Sequence, residues 1–164
     1  MSEYTKILKV SPLGDGDNWI LLEDFKYYDE EVLGNKEEPY WITVPPKFMT
    51  DFTSVPPIFR SLVSKWGKHG NATVLHDYLY WTQQCTRKEA DDIFRHGMKV
   101  MEVSALRTLL IYWAVRLGGW GAWRGNIQKK NEGWNRVAAR WPEKATDTPS
   151  DLQFAEPIQA ETQQ

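Results

Sequence analysis

Along the first fifty residues the apolar positions come in short blocks rich in β-branched and aromatic side chains: "TKILKV", "NWILLEDFKYY" and "YWITVP". Between them lie "PLGDGD" and "DEEVLGNKEE", which carry turn chemistry, so the blocks predict strands joined by turns. Around Asp15, Asp17 and Asn18 the glycine and the distal glutamate are not at the spacing of a calcium loop, and a hairpin turn is predicted there. Four prolines between Pro45 and Pro57 hold extended backbone around Asp51 and Ser54. The spacing then becomes helical. Asn71 caps a helix to about Gln83, and Thr86 with Glu89 forms a capping box for a second helix to about Met101. Ser104 starts a third, which ends at Gly118-Gly119. "GGWGAWRGN" reads as a glycine-aromatic turn, and Asn131 to Arg140 as a short helix. From Pro142 the chain is rich in Pro, Thr and Gln and reads as a flexible tail. The predicted fold is α+β: a small N-terminal antiparallel sheet packed on about three helices. It forms one domain over 1–141, followed by the tail over 142–164.

Helical geometry sorts the polar residues of "LHDYLYWTQQCTRKEADDIF". At 100° per residue, Ala72, Leu75, Tyr78 and Leu79 share the apolar face of the first helix, with His76 and Tyr80 stacked on its flank. Asp77 lies further round and points away from the core. On the second helix Asp91 sits at the margin of the apolar face, and Asp92 points to solvent. The short "TQQCT" linker makes the two helices antiparallel neighbours, which brings Asp91 toward His76 and Tyr80. A carboxylate on an imidazole fixes its tautomer and raises its basicity, the arrangement of a general base. Asp77, aimed elsewhere, is left as a possible metal ligand. Its oxygen chemistry suits calcium or magnesium better than zinc. Asp51 is a weaker metal candidate, and a turn role competes with it. A core-edge histidine held by Tyr and Asp is also a common structural device, so a structural role for the group stays open.

Composition bounds the partners. A net charge of −2 over 164 residues argues against a dedicated nucleic-acid binder. The charge is uneven: residues 1–60 hold eleven acidic and six basic side chains, whereas 104–144 hold eight basic and two acidic. Nine tryptophans, several of them between Trp113 and Trp141, serve either core packing or a surface that grips a partner, and the basic region they lie in suits a protein contact or a solvated helix face. One cysteine, Cys85, excludes an intramolecular disulfide and fits a reducing compartment. Neither a signal peptide nor an apolar run of transmembrane length is visible, so the expected location is the cytoplasm.

Four stretches, "ITVPPKFMTDFTSVPP", "ATVLHDYLY", "RKEADDIF" and "YWAVRLGGWGAWR", resemble a family of small phage and prophage proteins of unknown function. The resemblance spans about Trp41 to Arg124. It implies a viral or prophage origin, with the protein made in the host cytoplasm and open to incorporation in a virion. More weakly, "LHDYLY" followed by "ADDIF" is similar to the histidine helix and the following aspartate-bearing helix of secreted-type phospholipases of the A-two class. That resemblance implies His76 as the base that activates water, Tyr80 and Asp91 as its supports, and Asp77 as a calcium ligand beside a lipid or ester substrate. The glycine-rich calcium loop and the helix-stapling cysteines of those enzymes have no counterpart here. The expected function is a small hydrolase; the alternatives are a non-catalytic head or tail component and a protein that binds a host factor.

Overall fold

The apolar blocks of the N-terminal third form six short strands in two antiparallel three-stranded sheets. The computed structural model describes residues 1–4, 7–33, 41–52 and 67–153. One sheet has the order β1 (Glu3–Tyr4), β4 (Phe25–Tyr28), β5 (Trp41–Val44); the other has β2 (Val10–Pro12), β3 (Trp19–Leu21), β6 (Met49–Thr50). The block "NWILLEDFKYY", read as one strand, bends after Leu21 and contributes β3 to one sheet and β4 to the other. The break follows from burial. Leu21 joins the main apolar cluster with Phe25, Tyr27 and Ile42, whereas Ile20 joins a separate cluster with Leu13, Met49 and Leu152. A single flat strand cannot serve both clusters. The turn at Leu13–Asn18 is the expected hairpin, closed by Asp15, whose Oδ1 accepts from the backbone N–H of Asp17 and Asn18.

Four helices follow: α1 (Gly70–Thr82), α2 (Arg87–Val100), α3 (Ala105–Gly118) and α4 (Trp120–Asn131). The capping box of α2 forms as predicted, with Thr86 accepting from the Glu89 N–H and Glu89 from the Thr86 N–H. α1 stops where Gln83 turns left-handed at φ 56°. The fourth helix replaces the turn expected at "GGWGAWRGN". Glycine disfavours a helix locally, but tertiary contacts override it. Trp123 packs edge-on against Tyr80 at 5.1 Å, and Asn126 donates to the Tyr80 carbonyl at 3.1 Å.

The short helix expected over Asn131 to Arg140 does not form. That segment runs beside β6 instead: Met49 N–H donates to the Arg136 carbonyl at 2.6 Å, and Ala138 N–H to that of Lys47 at 3.0 Å. Nor is the chain beyond Pro142 loose throughout. Ala139 N–H bonds the Leu152 carbonyl at 2.8 Å, and the 3-10 turn Pro149–Leu152 buries Leu152 completely. The segment up to Gln153 is therefore packed on the domain, because one leucine in a polar stretch finds an apolar cluster. Residues 154–164 lie outside the described part, as does Ser54. Among the described residues no helix is long and apolar enough to cross a membrane.

Candidate functional site

α1 is the centre of the molecule, with α2 against one flank, β5 and β6 against another and α4 against a third. It is therefore buried almost all round, and both polar residues of its "HD" pair lie inside. On the α2 side the sequence-predicted group assembles. His76 Nε2 lies 2.8 Å from Asp91 Oδ1, which also accepts from the Tyr80 hydroxyl at 2.7 Å. Asp91 Oδ2 accepts from Arg116 at 2.6 Å and from Arg87 at 3.4 Å. Burial alone drives the Asp91 carboxyl up, but the His76, Arg116 and Tyr80 donors outweigh it and hold it below the usual carboxylate range. Burial, then the Asp91 charge, raises the Tyr80 phenol.

This group is sealed. His76 is 0% exposed and sandwiched between Phe94 at 4.6 Å and Tyr80 at 4.1 Å. Its Nδ1, the nitrogen a base would turn toward substrate, is buried and bonded to nothing among the described residues. The geometry that orients an imidazole is present, but among the described residues no route for a substrate reaches it. What the group does visibly is tie α1, α2 and α3 together through one fully satisfied carboxylate.

The two remaining candidates come together on the opposite flank. Asp77 does not point away from the core: it is 1% exposed and accepts from Thr50 Oγ1 in β6 at 2.5 Å. The single-face helical reading misplaced it because α1 has a packed sheet where the pattern implied solvent. Asp51, the residue after β6, lies in hydrogen-bonding reach of Asp77. Burial first, and then the Asp51 charge, push the Asp77 carboxyl up to about 8, against the opposing pull of Arg136 and Thr50. Asp77 Oδ1 accepts no hydrogen bond among the described residues. The raised carboxyl favours a proton on Asp77, which the neighbouring Asp51 is placed to share.

Asp51 opens into a cleft of about 440 Å³ whose walls include Trp81, Lys129, Trp134, Arg136 and Ser150. Its side chain is 31% exposed, and Arg136 stands 3.6 Å from it. The backbone around the pair is strained, with left-handed φ of 66° at Lys47 and 53° at Phe52, neither of them glycine. Such outliers concentrate at functional sites. Arg136 and the cleft wall escaped sequence reasoning because they come from the segment read as helix and tail, and only the Met49–Arg136 pairing places them. Asp92 departs in the same way from its reading as surface charge. It is 9% exposed, taking a hydrogen bond from Tyr112 at 2.8 Å and one from Lys88 at 2.6 Å.

A second histidine pair had no sequence signal at all. His96 on α2 lies with Nδ1 3.2 Å from Asp29 and Nε2 2.6 Å from Glu31, across 67 positions in the first contact. It fastens the end of β4 to α2. The calcium reading was tested on the donor set. Calcium takes about six to eight oxygens, whereas the described residues of the site offer two carboxylates and one hydroxyl, with a guanidinium on the open side. No group of three or more His, Cys, Asp or Glu suited to a metal occurs among the described residues. These residues do not fit a calcium centre.

Fold and site together define an α+β protein in which Asp51 lines an aromatic, basic-walled cleft and the buried Asp77 stands behind it. The chain belongs to a family of proteins of unknown function, DUF1353, whose model matches residues 19–115. The match runs from β3 into α3 and takes in both members of the pair, but ends before Arg136. No curated protein and no solved structure matches the chain.

Proposed function

We propose that the protein is a metal-independent hydrolase of esters or amides, with Asp51 as the catalytic residue and Asp77 as its proton-holding partner. The observation that carries this reading is the pair itself: a buried carboxyl in reach of a second one that opens on a cleft. Two titratable groups whose environments differ this sharply are the usual basis for acid–base assignments. In the proposed step the Asp51 carboxylate takes a proton from water, and the resulting hydroxide adds to the acyl carbon. The Arg136 guanidinium offsets the charge on the carbonyl oxygen. Collapse of the adduct expels the alcohol or amine, which recovers the proton from Asp51. Asp77 keeps its own proton throughout and positions Asp51. His76, Tyr80 and Asp91 form the frame behind the helix.

The test is hydrolysis of short-chain p-nitrophenyl esters and of a peptide-amide panel, with and without added calcium. Asp51→Asn is expected to lose at least about a hundredfold in kcat/KM with the fold retained by circular dichroism, while chelation changes nothing. A wild type inactive across the panel overturns the reading, and so does an active Asp51→Asn.

The sequence resemblance supports a phage or prophage source as part of this proposal. A second reading, as a non-catalytic virion or host-factor-binding protein, is favoured by one feature, the uncovered apolar face of α3. Mass spectrometry of purified particles distinguishes a virion component from a free protein.

A further inference from the structure

α3 is apolar on both sides. Its inner side packs Ile111, Ala114 and Val115 with Phe94 and Met98 of α2. Its outer side carries Leu106, Leu109, Leu110, Trp113 and Leu117, exposed by 69%, 51%, 43%, 53% and 78%. On a helical projection these five fall within a sector about 100° wide, opposite the buried one. Trp120, at the start of α4, is half exposed just beyond the end of the stripe. A contiguous stripe of leucine and tryptophan on an otherwise well-buried protein marks a surface that something covers.

The charge around it says what kind of surface fits. From 105 to 131 there are five basic residues, Arg107, Arg116, Arg124, Lys129 and Lys130, and no acidic one. Arg107 flanks the stripe on the same projection, whereas Arg116 is held by the buried Asp91 and Lys129 lines the Asp51 cleft. Arg124 stacks on Trp120 with its guanidinium 4.6 Å from the ring, and is exposed. At the α2 edge a groove of about 370 Å³, lined by Val103 and Leu109, has Arg95 and Lys99 on its lip. A second copy of this chain would bring one positive rim against another. An anionic bilayer meets both demands, since it takes leucines and tryptophans at the headgroup–acyl boundary and pairs the rim with lipid phosphates.

We infer that the outer face of α3, continued by Trp120, docks the protein on anionic phospholipid membranes, lying in the interface without crossing it. This does not depend on the Asp51–Asp77 chemistry, because the face and the cleft are separate and binding is measured without any turnover.

The experiment is co-sedimentation of the full chain with vesicles of phosphatidylcholine alone, and with vesicles of an equal mixture of phosphatidylcholine and phosphatidylglycerol. The wild type is expected to partition onto the mixed vesicles and to be released by salt. The double variant Leu109→Glu/Leu117→Glu is expected to lose binding by roughly tenfold or more. Both positions are exposed, and circular dichroism of the variant checks that it folds. A separate variant, Arg107→Gln/Arg124→Gln, keeps the apolar stripe and is expected to weaken binding only to the anionic vesicles. Equal binding to both vesicle types overturns the proposal. A wild type that binds neither overturns it too: a dimer by sedimentation assigns the face to a second copy, and a monomer assigns it to a protein partner.

Discussion

Replacing Asp77 by Asn tests whether the pair really holds a proton. The folded Asp77 carboxyl titrates at about 8 against an ordinary 3.8. Between these values the folded chain binds the proton and the unfolded chain has released it. The contribution to stability is therefore fully present below about 3.8 and declines as pH rises toward 8, beyond which it is constant. A span of about four pH units at ~1.4 kcal/mol each sets a ceiling of about 6 kcal/mol. Because Asp51 shares the proton, the pair titrates together, and roughly half of that, about 3 kcal/mol, is the expected realised loss. Asn keeps an acceptor for Thr50 and presents a permanent donor to Asp51, so the variant has no such loss. The assay is urea unfolding followed by tryptophan fluorescence from pH 4.5 to 9. The variant should gain on the wild type steadily up to about pH 8 and then run parallel to it. Curves parallel from the start, within about 0.5 kcal/mol, would refute the shared proton and the acid–base reading built on it.

The other structural assignments make their own demands. Asp91→Asn leaves Arg116 and Arg87 beside a neutral group in the interior and is expected to cost about 3–5 kcal/mol in thermal or urea unfolding; a loss below 1 kcal/mol would show that the network does not hold the helices. Since the Asp91 carboxyl is held below its usual range, its contribution is present above pH ~4 and lost as pH falls. Acid unfolding of the Asp91→Asn variant should accordingly be shallower than that of the wild type between pH ~4 and ~2. A methyl group at Gly97 would collide with the Tyr4 hydroxyl, so Gly97→Ala should cost about 1–3 kcal/mol. Part of this should return in the double variant with Tyr4→Phe, whose lost hydroxyl has no hydrogen-bond partner among the described residues; additive single-variant effects would contradict that contact.

The sequence by itself determined what local chemistry determines. The capping box at Thr86 and Glu89, the Asp15 turn, the bounds of α2 and α3 and the α+β class follow from residues within a few positions of one another. The meeting of His76, Tyr80 and Asp91 was also legible, because a five-residue linker leaves two helices little choice but to pack side by side. The tertiary structure alone decided the remainder. Helical periodicity ranks positions about one apolar face and assumes water opposite; α1 has no such face, so Asp77 became a buried carboxyl beside Asp51 and His76 a sealed imidazole. α4 formed over two glycines, Gly121 and Gly125, because Trp123 and Asn126 find Tyr80 there. Arg136 reached Asp51 through an edge pairing 87 positions apart in the chain, Met49 with Arg136. A residue's own pattern carries its propensity. Whether its charge meets solvent, a partner or a cleft depends on which distant segments pack against it, and that free energy is not encoded in any local window.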